Sequence, residues 1–106
     1  MVGNYLAEAA PVKIFAAFQH FNWEEHNLTP ALQSIGDVVR YDWHPPYDQY
    51  SPGWHYGLKQ GMNQEMLIRL CEAHDKAPID VFYGYLCGRL VFRGTVEMIR
   101  RLGIRR

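Results

Sequence analysis

Apolar positions along the chain fall into two patterns. Val12-Lys13-Ile14-Phe15-Ala16-Ala17-Phe18 is a nearly continuous apolar run of strand length. Continuous rather than alternating apolarity suits a strand covered on both faces, as in a parallel sheet. Asp37 to Trp43 and Ile79 to Leu86 read as second and third strands. Between them, apolar residues recur at helical spacing: Ala31, Leu32 and Ile35, then Met66, Leu67, Leu70, Cys71 and His74, then Val96, Ile99 and Leu102. Thr29 is predicted to cap the first helix with Pro30 at its first position, and Gly36 to end it in a left-handed cap. Asn63 and Thr95 are predicted caps of the second and third helices, while Pro78 and Gly103 end them. Ile104 then announces a fourth strand.

The resulting order, β-α-β-α-β-α, implies a parallel sheet with right-handed crossovers. The expected fold class is α/β, a Rossmann-like three-layer αβα sandwich with a small, mostly parallel and incomplete sheet. Residues 1–11 read as a leader and residues 12–106 as a partial N-terminal domain. In such sheets ligands bind beyond the carboxyl ends of the strands. That rule selects three loops: Gln19 to Asn27, Asp42 to Gly57, and Gly84 to Arg93. The stretch His44 to Gly61 breaks the rhythm, with Pro45, Pro46, Pro52, Gly53, Gly57 and Gly61 interleaved with Tyr47, Tyr50, Trp54 and Tyr56. Prolines and glycines at that density oppose a regular element.

Composition narrows the partners. Lys+Arg and Asp+Glu both number 11, a balance that offers no electrostatic footprint for nucleic acid or an anionic membrane. The basic group Arg100, Arg101, Arg105 and Arg106 sits at a helix C-terminus, where cations favour the dipole anyway. Cys71 and Cys87 form no CxxC pair and read as reduced, packed thiols. Met1 to Pro11 lacks the regions of a secretory signal, and no run approaches the length of a membrane span, so the expected location is the cytoplasm. Aromatic residues make up 14 % of the chain, and their concentration in loops marks lids, partner patches or platforms for flat ligand faces.

Familiar catalytic signatures are missing. There is no GxGxxG and no GxxxxGK[ST]. His20, His26, His44, His55 and His74, with Glu24, Glu25, Asp42 and Asp48 as oxygen donors, fall in no metal-ligand spacing, so no metal or other cofactor is expected. Ser34 and Ser51 lack a GxSxG context, and Cys87, at the end of the third strand, has no placed base. Glu24 and Glu25 are adjacent and diverge, which opposes an acid/base pair. The aromatic loop is the most ligand-like element: Tyr and Trp stack on a sugar or base while His44, Asp48, Gln49 and His55 supply directional contacts.

The strand followed by Phe21-Asn22-Trp23, then Leu32-Gln33-Ser34-Ile35-Gly36-Asp37 and Val38-Val39-Arg40-Tyr41-Asp42-Trp43, resembles the N-terminal region of CgeB-like (spore-maturation-protein-like) glycosyltransferases. Gly61 to Leu67, Pro78 to Leu86 and Thr95 to Ile104 are similar too, so the resemblance spans roughly Lys13 to Ile104. It implies a GT-B architecture of two Rossmann-like domains. The N-terminal domain would receive the acceptor and the C-terminal one would hold the nucleotide-sugar donor, without a metal. The chain is then the acceptor-side fragment of an enzyme that transfers sugar to a hydroxyl, inactive alone. On that reading His20 polarises the acceptor, and Gln19, Asn22, Trp23, His44, Tyr85, Gly88 and Arg89 contact it. The expected partners are a sugar or glycan acceptor, and a second copy or C-terminal domain that completes the sheet; nucleic acid and membrane are not expected. An alternative is a non-enzymatic module that engages another chain through the aromatic loop and an exposed sheet edge. A third reading, a metal-dependent hydrolase, uses His20, His26 and a carboxylate.

Overall fold

The computed structural model describes residues 11–19, 23–43, 46–85 and 87–105. These form a mixed α/β fold on a three-stranded parallel sheet. Strand β1 (Val12–Ala17) lies between β2 (Gly36–Tyr41) and β3 (Val81–Gly84). The β1–β2 register runs from Val12 opposite Gly36 to Ala17 opposite Tyr41, and the β1–β3 register from Ile14 opposite Val81 to Ala17 opposite Gly84. Helices α1 (Thr29–Ile35), α2 (Leu58–Lys76) and α3 (Arg93–Arg101) connect or follow the strands. Where a fourth strand is expected at Ile104, the described residues show only an isolated bridge beside β3. Arg105 bridges Val81 in parallel, and the Phe82 N–H donates to the Arg105 carbonyl at 2.6 Å.

The continuous apolarity of β1 is explained by its central position, which buries Ile14 through Phe18 without a break. The Phe15 ring stacks between Tyr41 of β2, at 6.2 Å, and Phe82 of β3, at 5.6 Å. Met62, Met66 and Leu70 of α2, with Ile99 of α3, complete the core. Full burial of each such side chain contributes about 1.5–3 kcal/mol, so this cluster is the main driving force for folding.

Several expected boundaries move. The polar loop after β1 becomes helical at Trp23, and a π-helical turn, Glu24–Leu28, runs straight into α1. Thr29 is therefore a buried helical residue and not a cap. Leu32 is buried as expected, but Ile35 is 63 % exposed and Ala31 is exposed. Gly36 is not a left-handed cap either: its φ of −171° is extended, and it opens β2. Helix α2 starts five residues before Asn63, which is buried inside it. Thr95 is likewise buried in the first turn of α3, whose entry residue is Phe92. Strand β3 begins only at Val81, because the Ile79 N–H donates to His74 Nδ1 at 2.9 Å and holds the chain in the turn leaving α2. Both cysteines are free, but exposed where packed thiols were expected.

Tyr41 is 3 % exposed, and its hydroxyl has no hydrogen-bond partner among the described residues. Burial, followed by the charge of Glu65, pushes that hydroxyl above the ordinary tyrosine range. A raised folded-state value leaves the group's contribution intact below the unfolded pKa of about 10 and removes it as pH rises beyond. Tyr41→Phe removes an unsatisfied polar atom and keeps the ring stack with Phe15. The expected result is unchanged stability, or a gain of up to about 1 kcal/mol, at pH 7, and a smaller loss than the parent's at pH 10.5. Urea unfolding at both values checks it; a loss above about 1 kcal/mol at pH 7 would refute it.

Candidate functional site

The carboxyl edge of the sheet is built by two loops that clasp each other. Residues 46–57, between β2 and α2, fold through successive turns into a short 3-10 segment, Trp54–Tyr56. Asp48 and Ser51 shape those turns: Asp48 Oδ1 accepts from the Tyr50 N–H at 2.9 Å and Ser51 Oγ from the Gly53 N–H at 3.2 Å. Trp54 is 1 % exposed, and its indole N–H donates to the Arg89 carbonyl at 2.8 Å. In return, Arg89 Nη2 donates to the Gln49 carbonyl at 3.1 Å, and its guanidinium lies 5.8 Å from the Tyr50 ring centre. The Gly88 carbonyl accepts from Lys59 Nζ, and that ammonium also sits 4.5 Å from the centre of the Phe92 ring. Asn63 closes the clasp from beneath. Its Nδ2 donates to the carbonyls of Lys59 (2.7 Å) and Leu90 (2.9 Å), while its Oδ1 accepts from the Phe92 N–H at 3.1 Å.

These contacts enclose a cleft of about 320 Å³ lined by Trp54, His55, Tyr56, Gly57, Lys59, Gln60 and Phe92. Tyr56 is 90 % exposed and Phe92 43 %, so two aromatic rings are accessible beside the polar groups of His55, Lys59 and Gln60. No carboxylate is among the lining residues. The size is at the small end of the range for small-molecule sites. Of two larger clefts, one of about 410 Å³ runs along β1 and β2 beside the C-terminal half of α2 (Phe15, Val39, Arg69, Ala77), and one of about 520 Å³ lies at the starts of β1 and β3 (Val12, Val81). Neither is lined by the loops that follow the carboxyl ends of the strands, where open α/β sheets take ligands, and we favour the smaller cleft for that reason.

The sequence-derived residues divide among three places. Gly88 and Arg89 are in the clasp, Gly88 through its carbonyl and Arg89 as a strut holding Gln49. Tyr85, Trp23 and Gln19 belong to the β1 side. Tyr85 packs on Phe18 at 5.8 Å, and burial together with nearby Glu24 raises its hydroxyl above the usual range. Trp23 is 59 % exposed, its carbonyl accepting from Asn27 Nδ2 at 3.2 Å, and Gln19 is half-buried just past β1. His20, Asn22 and His44 lie outside the described residues. Trp54, expected as an open stacking platform or partner contact, is instead a buried pillar. Tyr56 and Phe92 fall in loops selected from the sequence but not among the named contacts, and Lys59 and Gln60 were missing altogether. The sequence signal for them is Trp54-His55-Tyr56 between Gly53 and Gly57, immediately ahead of helix α2.

Other chemistries find little geometry. Among the described residues, no three His, Cys, Asp or Glu side chains converge as a metal site. Glu25 is engaged by Arg40, and Ser34 Oγ donates to the Ala31 carbonyl at 2.6 Å. No helix among the described residues is long and apolar enough to cross a membrane. Comparison with family models, with curated proteins and with solved structures gives no match for this chain.

Proposed function

We propose that this chain is a carbohydrate-binding α/β domain that presents a sugar hydroxyl as an acceptor, the acceptor side of a glycosyl-transfer enzyme. The observation that carries the reading is the cleft at the carboxyl edge. There, the accessible rings of Tyr56 and Phe92 adjoin hydrogen-bonding groups of His55, Lys59 and Gln60. Aromatic faces stack on the apolar C–H face of a pyranose, and directional polar groups take its hydroxyls. The strand order β2-β1-β3, with every pair parallel, is compatible with a Rossmann-like domain. The general preference for right-handed crossovers supports a three-layer arrangement, with α1 opposite α2 and α3, for that strand order. The resemblance to CgeB-like enzymes points to the same side of the reaction, with the donor held elsewhere.

Titration calorimetry with methyl glucoside and maltose tests the binding. The expected outcome is saturable binding in the millimolar range, weakened at least about ten-fold by Tyr56→Ala, whose side chain is exposed and whose loss leaves the fold intact. Equal affinity of Tyr56→Ala and the parent, or no saturable binding by about 50 mM, would refute the reading. In the same preparation, the chain alone is expected to hydrolyse or transfer no nucleotide-sugar donor.

One observation favours the second reading, an interaction module. Val12, Tyr83 and Tyr85 are each about two-fifths exposed around β1 and β3, next to the outer edge of β3 where Arg105 begins to pair. On that reading the contact surface is this face and not the buried Trp54. Light scattering on the purified chain separates the two: a dimer dispersed by Tyr83→Lys supports the module.

A further inference from the structure

Resting on the carbohydrate reading of the carboxyl-edge cleft, we infer that the site selects an acidic sugar, one carrying a carboxylate, over its neutral counterpart. The argument is the unbalanced charge of the lining. Lys59 is the one formally charged residue there, and the remaining lining residues are aromatic, glycine, amide or imidazole. No ion pair among the described residues involves Lys59, although it is half-buried at the first turn of α2. The ammonium therefore carries a full positive charge with no carboxylate partner in the lining, which leaves the cleft one unbalanced cation to offer a ligand.

Lys59 is also held in place. One of the ammonium's three N–H donors goes to the Gly88 carbonyl, and the ring of Phe92 lies 4.5 Å from the charge. Those contacts fix the head group without neutralising it, because a carbonyl and an aromatic face carry no net charge. Two donors remain for a ligand. A carboxylate takes two hydrogen bonds through its two oxygens and supplies the missing charge, giving a charge-assisted contact that a neutral hydroxymethyl group cannot match. Trp54 and Phe92 wall the cleft beside that pair and give the sugar ring apolar surface next to the charge. His55 lies in the same lining and offers a further hydrogen-bonding group.

Paired calorimetry with methyl glucoside and methyl glucuronide, which differ only in the group at C6, tests the inference. The expected result is glucuronide binding at least about ten-fold tighter at low salt, the advantage falling at 0.5 M sodium chloride. In Lys59→Gln, which keeps a donor for Gly88, the two ligands are expected to bind alike. Thermal melting of that variant confirms folding, and Arg93→Gln, outside the cleft lining, is the charge-loss control that leaves the preference unchanged. If both sugars bind with affinities within about three-fold, the acidic preference is overturned while the carbohydrate reading stands. A preference that survives in Lys59→Gln overturns the role of Lys59. If neither sugar binds, the carbohydrate reading itself fails and takes the inference with it.

Discussion

Gly36→Ala is expected to destabilise the fold by about 2–4 kcal/mol, a cost far above that of an ordinary surface change. The reason is space. A Cβ on Gly36 would lie 2.0 Å from the carbonyl oxygen of Val12 and 2.9 Å from its carbonyl carbon. Both are backbone atoms of the central strand, at the point where the β1–β2 register begins. A flexible side chain could swing aside, but a backbone carbonyl can yield only if the two strands separate. The first pairs of the ladder are therefore lost or the strands shift together. Since β1 carries the core residues Ile14 to Phe18, displacement at its entry is transmitted into the packing. Urea unfolding gives the free energy, and the melting temperature is expected to fall by roughly 10 °C or more. Gly94→Ala is the control: a Cβ there meets nothing within 4 Å, in a helix that favours alanine, so stability is expected to hold or rise. A Gly36→Ala variant as stable as the parent would show that the β1–β2 junction tolerates a side chain.

The same glycine shows where the sequence is ambiguous. A glycine after a helical stretch is the usual sign of a left-handed cap, and nothing local distinguishes that from a glycine required by a neighbouring strand. The distinguishing atom, the Val12 carbonyl, is 24 positions away in the chain. Asn63 is misread for a related reason. Asparagine after a glycine-rich stretch suggests a helix start, and the glycines at 57 and 61 disguise the true start at Leu58. Its actual partners, Leu90 and Phe92, are again distant. By contrast, the central strand, the three helices and the parallel order were legible, because burial on both faces imprints continuous apolarity and one-sided burial imprints a 3.6-residue period. The clasp at the carboxyl edge was legible only in part. Aromatic density singled out the loop. Which of its rings turn inward is decided by Trp54 reaching Arg89, a docking that no local pattern records.

Asn63→Leu joins fold and site in one test. Leucine keeps the branching and the number of side-chain heavy atoms but is bulkier, so the lost hydrogen bonds are joined by some overpacking at this buried position. Asn63 is 3 % exposed and makes three hydrogen bonds, to the carbonyls of Lys59 and Leu90 and from the N–H of Phe92. Leucine satisfies none of them. The Leu90 carbonyl and Phe92 N–H would be stranded beneath the β3–α3 loop, and each unsatisfied buried group costs about 1–3 kcal/mol. The expected loss is about 2–4 kcal/mol, read by urea unfolding. The loop can relieve that cost by lifting away from α2 to hydrate its backbone. Lifting carries Phe92 off the Lys59 ammonium and Gly88 off its Nζ, which dismantles one wall of the cleft. Sugar binding is therefore expected to weaken at least about ten-fold at temperatures where the variant is still folded. Asn63→Asp separates the two effects. Its carboxylate can still accept from the Phe92 N–H while facing the Leu90 carbonyl without a donor, so it is expected to lose stability at neutral pH and to recover part of it when protonated. A stable Asn63→Leu variant with parental sugar affinity would mean that Trp54 and Arg89 hold the two loops together without help from α2.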